Sequence, residues 1–172
     1  VTAAGAPILG GDGGAPYITH VTAGRIADAG ICDAANMGAA MAPAAFDTLT
    51  AHFEDTGRSP QDYDIIVTGD LGYVGSKALA GLFEHEGIEL ENHLDCGLMI
   101  FDRERQDVHA GGSGCGCCAS VLASLLLSGM REGRWNRMLF AATGALMSPT
   151  TSQQGESIPG ICHAVAFDTG VQ

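Results

Sequence analysis

The chain has 172 residues, of which 46% are hydrophobic and 16% are charged, and its formal net charge is −12 at pH 7. This length is sufficient for one well-packed domain. The balance of 20 acidic against 8 basic side chains argues against nucleic acid as a partner and against direct binding to anionic lipid, since both present phosphates. The sequence shows no signal peptide and no apolar run long enough to span a bilayer. It begins at Val1 rather than Met, so we expect a processed chain, a cut chain or one piece of a longer protein.

The cysteine pattern indicates a reducing, intracellular compartment rather than a disulfide scaffold. Three cysteines fall within four residues, and the others lie among apolar residues. Small disulfide-stapled folds do not have this arrangement at this length. We therefore expect buried, free thiols. The six residues are Cys32, Cys96, Cys115, Cys117, Cys118 and Cys162.

The N-terminal third predicts a strand, a loop and a helix. The segment Gly10–Gly14 is interpreted as a flexible turn, because it lacks the Lys-Ser/Thr pair of a phosphate-binding loop. The β-branched residues of 18–31 predict a long or bent strand, and the small residues of 36–41 predict a loop. Pro43 suits the first turn of a helix that Gly57 should end.

The middle of the chain predicts a buried strand and a second helix. The apolar run 63–68 is typical of a strand that is buried on both faces. A helix follows from near Ser76 to Gly87, with its apolar residues on one side. Residues 88–110 are less regular and include a predicted short strand at 97–101.

The C-terminal third contains the most apolar helix. Residues 117–128 have almost no polar side, and a helix that is apolar all round is buried on every side. We expect it to be more buried than the helices near 43–56 and 76–86, whose apolar residues form one-sided stripes. Two further strands are predicted at 137–142 and 161–167. This alternation predicts an α/β fold, with a mixed, mostly parallel five-stranded sheet and helices on both of its faces.

A glycine-rich loop, GGSGCG at 111–116, leads into the predicted buried helix. Its glycines can expose backbone N–H groups that hold an anionic ligand at the start of a helix. Cys115, Cys117 and Cys118 crowd this position, where the helix dipole would lower a thiol pKa and favour a nucleophile. The other interpretation is that all three are small packing residues. A zinc site formed with His109 is disfavoured, since C-x-C-C lacks the separated pairs of tetrahedral sites.

Two polar residues flank the predicted crevice. Asp70 follows the carboxyl end of a buried strand, where ligands bind in α/β sheets, although a turn or capping role for the next helix is equally consistent. His109 precedes the glycine loop, so it either contacts a ligand or is a hydrogen-bonded structural residue.

Four strings of the sequence resemble the stage V sporulation protein AD family of spore-forming bacteria. They are NMGAAMAPAA at 36–45, HAGGSGCG at 109–116, ATGALMSPT at 142–150 and QQGESIPGI at 153–161. The resemblance extends over essentially the whole chain, and the family is itself similar to thiolases and ketoacyl synthases III. It implies that residues 1–172 are the C-terminal half of a longer two-half protein, folded as a thiolase-like half with a buried central helix.

The resemblance also implies ligand binding rather than catalysis. In catalytic relatives the nucleophilic Cys lies in the N-terminal half, and the C-terminal half supplies a His after its second strand. Here Gly69-Asp70-Leu71-Gly72 stands at that position. The second family motif falls within 109–113, at His109 on the thiolase pattern or at Gly112 on the synthase pattern. We therefore predict a pseudoenzyme without a catalytic residue in this chain.

The family is associated with the uptake of pyridine-2,6-dicarboxylic acid (dipicolinate) into the developing spore. The resemblance implies binding of dipicolinic acid, or of its near-neutral calcium chelate, at Asp70, His109, Gly112, Ser113 and Cys115, with no metal or cofactor of the protein's own. The implied partners are the N-terminal half, membrane-embedded sporulation proteins of the same set and a second copy in a homodimer, but not nucleic acid. They would place the protein inside the cell, peripheral to the spore inner membrane. The alternative is a thiolase-class acyl-transfer enzyme in which Asp70 is a nonstandard base and a Cys is acylated.

Overall fold

The computed structural model describes residues 15–170, and the predicted turn Gly10–Gly14 lies outside them. The described chain forms one five-stranded sheet. Its strands in spatial order are β1 (Tyr17–Ala23), β5 (Gly160–Asp168), β4 (Arg137–Ala145), β2 (Ile65–Thr68) and β3 (His93–Asp95). Strand β5 is antiparallel to β1 and β4, whereas β4, β2 and β3 are mutually parallel, so four of the five strands run in one direction. The predicted mixed, mostly parallel sheet is confirmed.

Helices cover both faces of this sheet, because successive strand residues point to opposite sides. On one face, Ile66 and Leu139 pack with α1 (Met37–Thr56) and α2 (Gly72–His85). On the other face, Val67 and Phe140 pack with the helix that follows the glycine loop. That helix is continuous over 117–131 but contains a π-helical turn at Leu122–Leu126. The helices are α1 (Met37–Thr56), α2 (Gly72–His85), α3 (Cys96–Met99), α4 (Cys117–Val121), α5 (Leu127–Arg131) and α6 (Pro149–Gln153), with a 3-10 turn at Pro60–Asp62.

Two predicted boundaries in the N-terminal third are wrong. The first strand ends at Ala23, and the rest of 18–31 makes only a bridge from Ala27 to Gly160. Helix α1 begins at Met37, in the segment predicted as a loop, so Pro43 lies inside it. Alanine and methionine are strong helix formers, and their burial in the core extends the helix over this segment.

The middle of the chain shows a similar shift of boundaries. Residues 97–101 do not form the predicted strand, because α3 occupies most of them and the strand lies just before it at His93–Asp95. Helix α2 begins four residues before Ser76, at Gly72. The predicted helix end at Gly57 is confirmed, since Gly57 adopts the left-handed conformation (φ 65°) that favours glycine.

The prediction that 117–128 is more buried than the other two helices is confirmed for α2, most of whose residues are exposed, but it is wrong for α1. Helix α1 is covered by the sheet on one side and by α2 on another, and Ala42, Ala44 and Leu49 are completely buried. The 117–131 helix buries one face against the sheet, including Leu126 and Met130. Its opposite side is exposed at Ala119, Ser120, Ala123 and Ser124, since no further layer of the described residues covers it.

A buried histidine joins α1 to the sheet. His52 is 0% exposed, and its ring nitrogens lie 2.8 Å from the Thr22 hydroxyl and 2.6 Å from the Tyr63 hydroxyl. Burial, together with repulsion from His20 and Arg58, lowers the pKa of His52 to about 4. The ring is therefore neutral in the folded protein at neutral pH.

This neutral ring predicts a loss of stability in mild acid. In the unfolded chain His52 takes up a proton near its ordinary pKa of 6.5, whereas the folded chain resists protonation down to about pH 4. The contribution of His52 to the free energy of unfolding is fully present above pH 6.5. It is lost as the pH falls from 6.5 to about 4, which lowers the free energy of unfolding by about 2–3 kcal/mol. Denaturant unfolding at a series of pH values should show a steeper pH dependence for the wild-type protein than for His52→Gln. Equal slopes would contradict the prediction, whatever the absolute stability of the variant.

Candidate functional site

A cleft of about 290 Å³ opens where β2 and β4 end at the same edge of the sheet. Four segments that are distant in sequence form its walls: the start of α1, the turn between β2 and α2, the glycine loop and the end of β4. The lining residues are Met37, Met41, Asp70, Ser113, Gly114, Cys115, Cys118, Thr143, Gly144 and Ala145. A second cleft of about 230 Å³ lies beside it, and Met37, Asp70 and Ser113 line both.

Asp70 is the polar centre of this site. Its Oδ2 accepts hydrogen bonds from the Ser113 hydroxyl at 2.8 Å and from the Gly114 backbone N–H at 3.0 Å. Its Oδ1 accepts from the Thr143 hydroxyl at 2.9 Å, and its own N–H donates to the same hydroxyl oxygen at 2.9 Å. One carboxylate therefore ties the β2–α2 turn to the glycine loop and to β4. Sequence reasoning missed Thr143, although it lies in the ATGALMSPT string.

A second, buried carboxylate holds the turn that carries Asp70. Asp95 is 2% exposed and accepts hydrogen bonds from the backbone N–H groups of Leu71 and Gly72, both at 2.9 Å. The Thr68 hydroxyl donates to it at 2.6 Å. Burial raises the pKa of Asp95 above its usual range, against the lowering effect of these bonds. Asp95 is not predicted as a site residue from the sequence, because its only local signal is a carboxylate that lies between Leu94 and Cys96.

The glycine loop is fixed by a contact between two glycines. The Gly112 N–H donates to the Gly97 carbonyl at 2.7 Å, so it is not available to a ligand. A Cβ on Gly112 would meet the Ile100 side chain at 2.5 Å and the Phe101 ring at 3.1 Å. The glycine is therefore required for packing against α3. Within 15–170 no partner is found for the backbone N–H groups of Ser113, Cys115 and Gly116, of which those of Ser113 and Cys115 belong to residues that line the first cleft.

His109 does not reach either cleft. Its ring is 88% exposed and its Nε2 lies 3.5 Å from the Asp107 carboxylate. Its backbone adopts a φ of 45°, and the Arg103 Nε donates to its carbonyl at 2.9 Å. The structure thus brings Asp70, Ser113 and Cys115 to one cleft and Gly112 to the second, but it directs His109 away from both.

The thiols of Cys117 and Cys118, at the start of the helix, have raised rather than lowered pKa values. Burial, with a further effect of the Asp70 carboxylate, raises the pKa of Cys117 to about 11 and also raises that of Cys118. Cys117 is a packing residue between the helix and the sheet, as the second interpretation of these thiols states. Cys115 is exposed and lines the cleft.

Two kinds of feature are absent from the described residues 15–170. No group of three or more His, Cys, Asp or Glu side chains is arranged to hold a metal ion. No helix in the same range is both long enough and apolar enough to cross a membrane.

Comparison with known proteins places the chain in a family. Residues 1–168 match the sequence profile described as Stage V sporulation protein AD (SpoVAD). Stage V sporulation protein AD of Bacillus subtilis (strain 168) is 47% identical over 169 residues, which are 98% of this chain and 50% of that protein. The chain thus spans about half the length of the curated relative that it matches.

Among solved structures, the chain is similar to human mitochondrial 3-ketoacyl-CoA thiolase. The complex of that enzyme with CoA gives a TM-score of 0.47 at 14% identity, and a second structure of the enzyme gives 0.46 at 13% identity. Each match covers 91% of this chain and 31% of the thiolase chain. The profile match and the 47% identity over nearly the whole chain carry the assignment: the chain belongs to the stage V sporulation protein AD family.

Proposed function

We propose that this chain binds dipicolinic acid, alone or as its calcium chelate, for uptake into the developing spore, and that it does so without catalysis. The observation that supports this most directly is the cleft at the ends of β2 and β4, in which Asp70, Ser113 and Thr143 form one hydrogen-bonded set. A volume of about 290 Å³ is at the lower end of the range for small-molecule sites, which suits a single-ring dicarboxylate.

The lining groups of the cleft match the two parts of such a ligand. The N–H groups of Ser113 and Cys115 can donate to a ligand carboxylate, as N–H groups in loops commonly do for anions. The Asp70 carboxylate repels a free dianion but attracts a calcium ion that the ligand itself chelates. This arrangement favours the chelate over the free acid.

The geometry gives little support to the acyl-transfer alternative. A thiol nucleophile needs a nearby base or a lowered pKa, and no histidine lines the two clefts. The cleft residue Cys118 and its neighbour Cys117 both have raised pKa values. The Asp70 carboxylate already accepts three hydrogen bonds, from Ser113, Gly114 and Thr143, which hold it against the walls of the cleft.

The remaining partners in this proposal complete the protein and place it in the cell. The N-terminal half would cover the exposed side of the 117–131 helix, where the small residues Ala119 and Ala123 allow close approach. Membrane-embedded sporulation proteins of the same set would hold the protein at the spore inner membrane. Two copies would pair as a homodimer.

The test is calorimetric titration of the full-length protein with dipicolinate, with and without calcium. We expect saturable binding by the wild-type protein and at least tenfold weaker binding by Thr143→Val, because that variant loses the part-buried hydrogen bond that holds the Asp70 carboxylate in the cleft, and a hydrogen bond to a charged group contributes about 1.5–3 kcal/mol. Valine has nearly the same shape as threonine, so the fold should be retained.

Asp55→Asn is the matched control, because Asp55 is an exposed side chain on α1, which contributes other residues to the cleft. It should bind as the wild type does. Absence of binding by the wild-type protein in both conditions would overturn the proposed function. Unchanged binding by Thr143→Val would place the ligand outside this cleft.

A further inference from the structure

Two cations meet on one exposed aromatic ring near the clefts. The Lys77 Nζ lies 4.3 Å from the centroid of the Tyr73 ring, and the Arg103 Cζ lies 4.4 Å from the same centroid. Tyr73 is 39% exposed on the first turn of α2. The negative face of the ring attracts each cation, although the two cations repel one another. We call Tyr73, Lys77 and Arg103 the cation cluster.

The cluster has no acidic partner in the part of the chain that the structure describes. Neither Lys77 nor Arg103 forms an ion pair there, in a protein with 20 acidic and 8 basic side chains. The acidic side chains near Arg103 have other neighbours: Asp102 lies 3.5 Å from Arg105, and Asp107 lies 3.5 Å from His109. The positive charge of the cluster is therefore uncompensated by a direct contact.

The cluster lies at the rim of the smaller cleft. Gly72 and Val74, the residues on either side of Tyr73, both line that cleft. The Tyr73 N–H donates to the carbonyl of Ala110, another lining residue, at 2.8 Å. Arg103 is held to the same segment by the bond from its Nε to the His109 carbonyl. Its two Nη groups have no acceptor among residues 15–170, and the Lys77 ammonium has three N–H donors, more than its bond to the Tyr73 hydroxyl uses.

We propose that the cation cluster is an outer anion site that captures a carboxylate of the incoming ligand before the ligand moves into the cleft. This inference rests on the proposed function. The net charge of −12 and the Asp70 carboxylate repel the free dicarboxylate, unlike its near-neutral calcium chelate, so the approach of the calcium-free ligand needs a local region of opposite sign. An Arg guanidinium can bind the two oxygens of one carboxylate and can release it by exchange with water, and the Lys ammonium on the same ring adds a point charge that attracts the ligand.

Such a site acts on the association rate and is sensitive to salt. We expect the association rate constant of dipicolinate with the full-length protein to fall about 5- to 10-fold in Lys77→Gln/Arg103→Gln at about 0.01 M ionic strength, where the Debye length is about 30 Å. The dissociation rate constant should change less than about twofold, because the contacts inside the cleft are intact. At about 1 M salt the wild type and the variant should associate equally fast.

The matched control is Arg131→Gln/Arg134→Gln, which removes the same charge near the start of β4, at the opposite end of the sheet from the cleft. It should slow association much less than the cluster variant does, because its charges are farther from the cleft. A charge reversal, Lys77→Glu, should slow association further than Lys77→Gln. Stopped-flow measurements on variants with wild-type circular dichroism decide the matter. Association that is equally fast in the cluster variant and the control overturns the outer site but leaves the proposed function intact, whereas absence of binding by the wild type overturns both.

Discussion

Replacing Asp95 with Ala should lower the free energy of unfolding by about 3–5 kcal/mol, because two buried N–H groups and one hydroxyl lose their acceptor. Thr68 can redirect its hydroxyl to the Leu94 carbonyl, which lies 3.4 Å away, but the N–H groups of Leu71 and Gly72 have no such alternative among the described residues. The turn that carries Asp70 should loosen as well. Ligand binding should therefore weaken together with stability, as measured by denaturant unfolding and by calorimetry.

Two comparisons isolate this effect from a general loss of charge. Asp95→Asn keeps one acceptor oxygen and should cost less than Asp95→Ala. Asp55→Asn removes an exposed carboxylate from α1 and should change stability by less than about 0.5 kcal/mol. If Asp95→Ala were as stable as the Asp55 variant, the buried carboxylate would not be holding the turn.

A change of Gly75 to Ala should destabilise the protein, whereas the same change at Gly81, in the same helix, should stabilise it. A Cβ on Gly75 would lie 2.6 Å from the Gly38 carbonyl oxygen and 2.8 Å from the Gly38 Cα, so the backbones of α1 and α2 would have to separate. Overpacking of this kind costs about 1–3 kcal/mol. A Cβ on Gly81 meets nothing within 4 Å, and alanine in a helix is favoured over glycine by about 0.5–1 kcal/mol.

The opposite signs of these two effects are the test, since helix propensity alone would make both variants more stable. Thermal or denaturant unfolding of the two variants and the wild type gives the comparison directly. Gly75→Ala should also weaken dipicolinate binding, because the crossing of α1 and α2 sets the distance between Met37 and Asp70 across the cleft. A Gly75→Ala protein that is more stable than the wild type would show that the two helices can move apart at no cost.

The close approach of α1 and α2 also explains why the N-terminal boundary of α1 was misjudged from the sequence. The segment 36–41 has small residues and a glycine, which are typical of a loop, and Pro43 is typical of a first turn. In the folded protein Gly38 is the contact point with Gly75, and Ala40 and Met41 are buried. Tertiary packing thus outweighs a local preference that favours a later start.

The candidate site was predictable in part. Asp70, Ser113 and Cys115 could be placed near one another because a strand end and a glycine loop before a helix meet at the same edge of a parallel sheet. His109 could not be placed, because its direction depends on a left-handed backbone conformation and on the bond from Arg103. Their roles in ligand binding stay predictions.

The sequence by itself determined the order of strands and helices, the parallel core of the sheet and the edge at which the cleft opens. These features follow from local patterns, such as the apolar run that forms β2 and the glycine that ends α1. The tertiary structure alone decided which helix is most deeply buried, that Asp95 supports the turn beside the cleft, and that His109 points away from it. Burial and hydrogen-bond partners come from segments that are distant in the chain, whereas a sequence pattern describes only a residue and its neighbours.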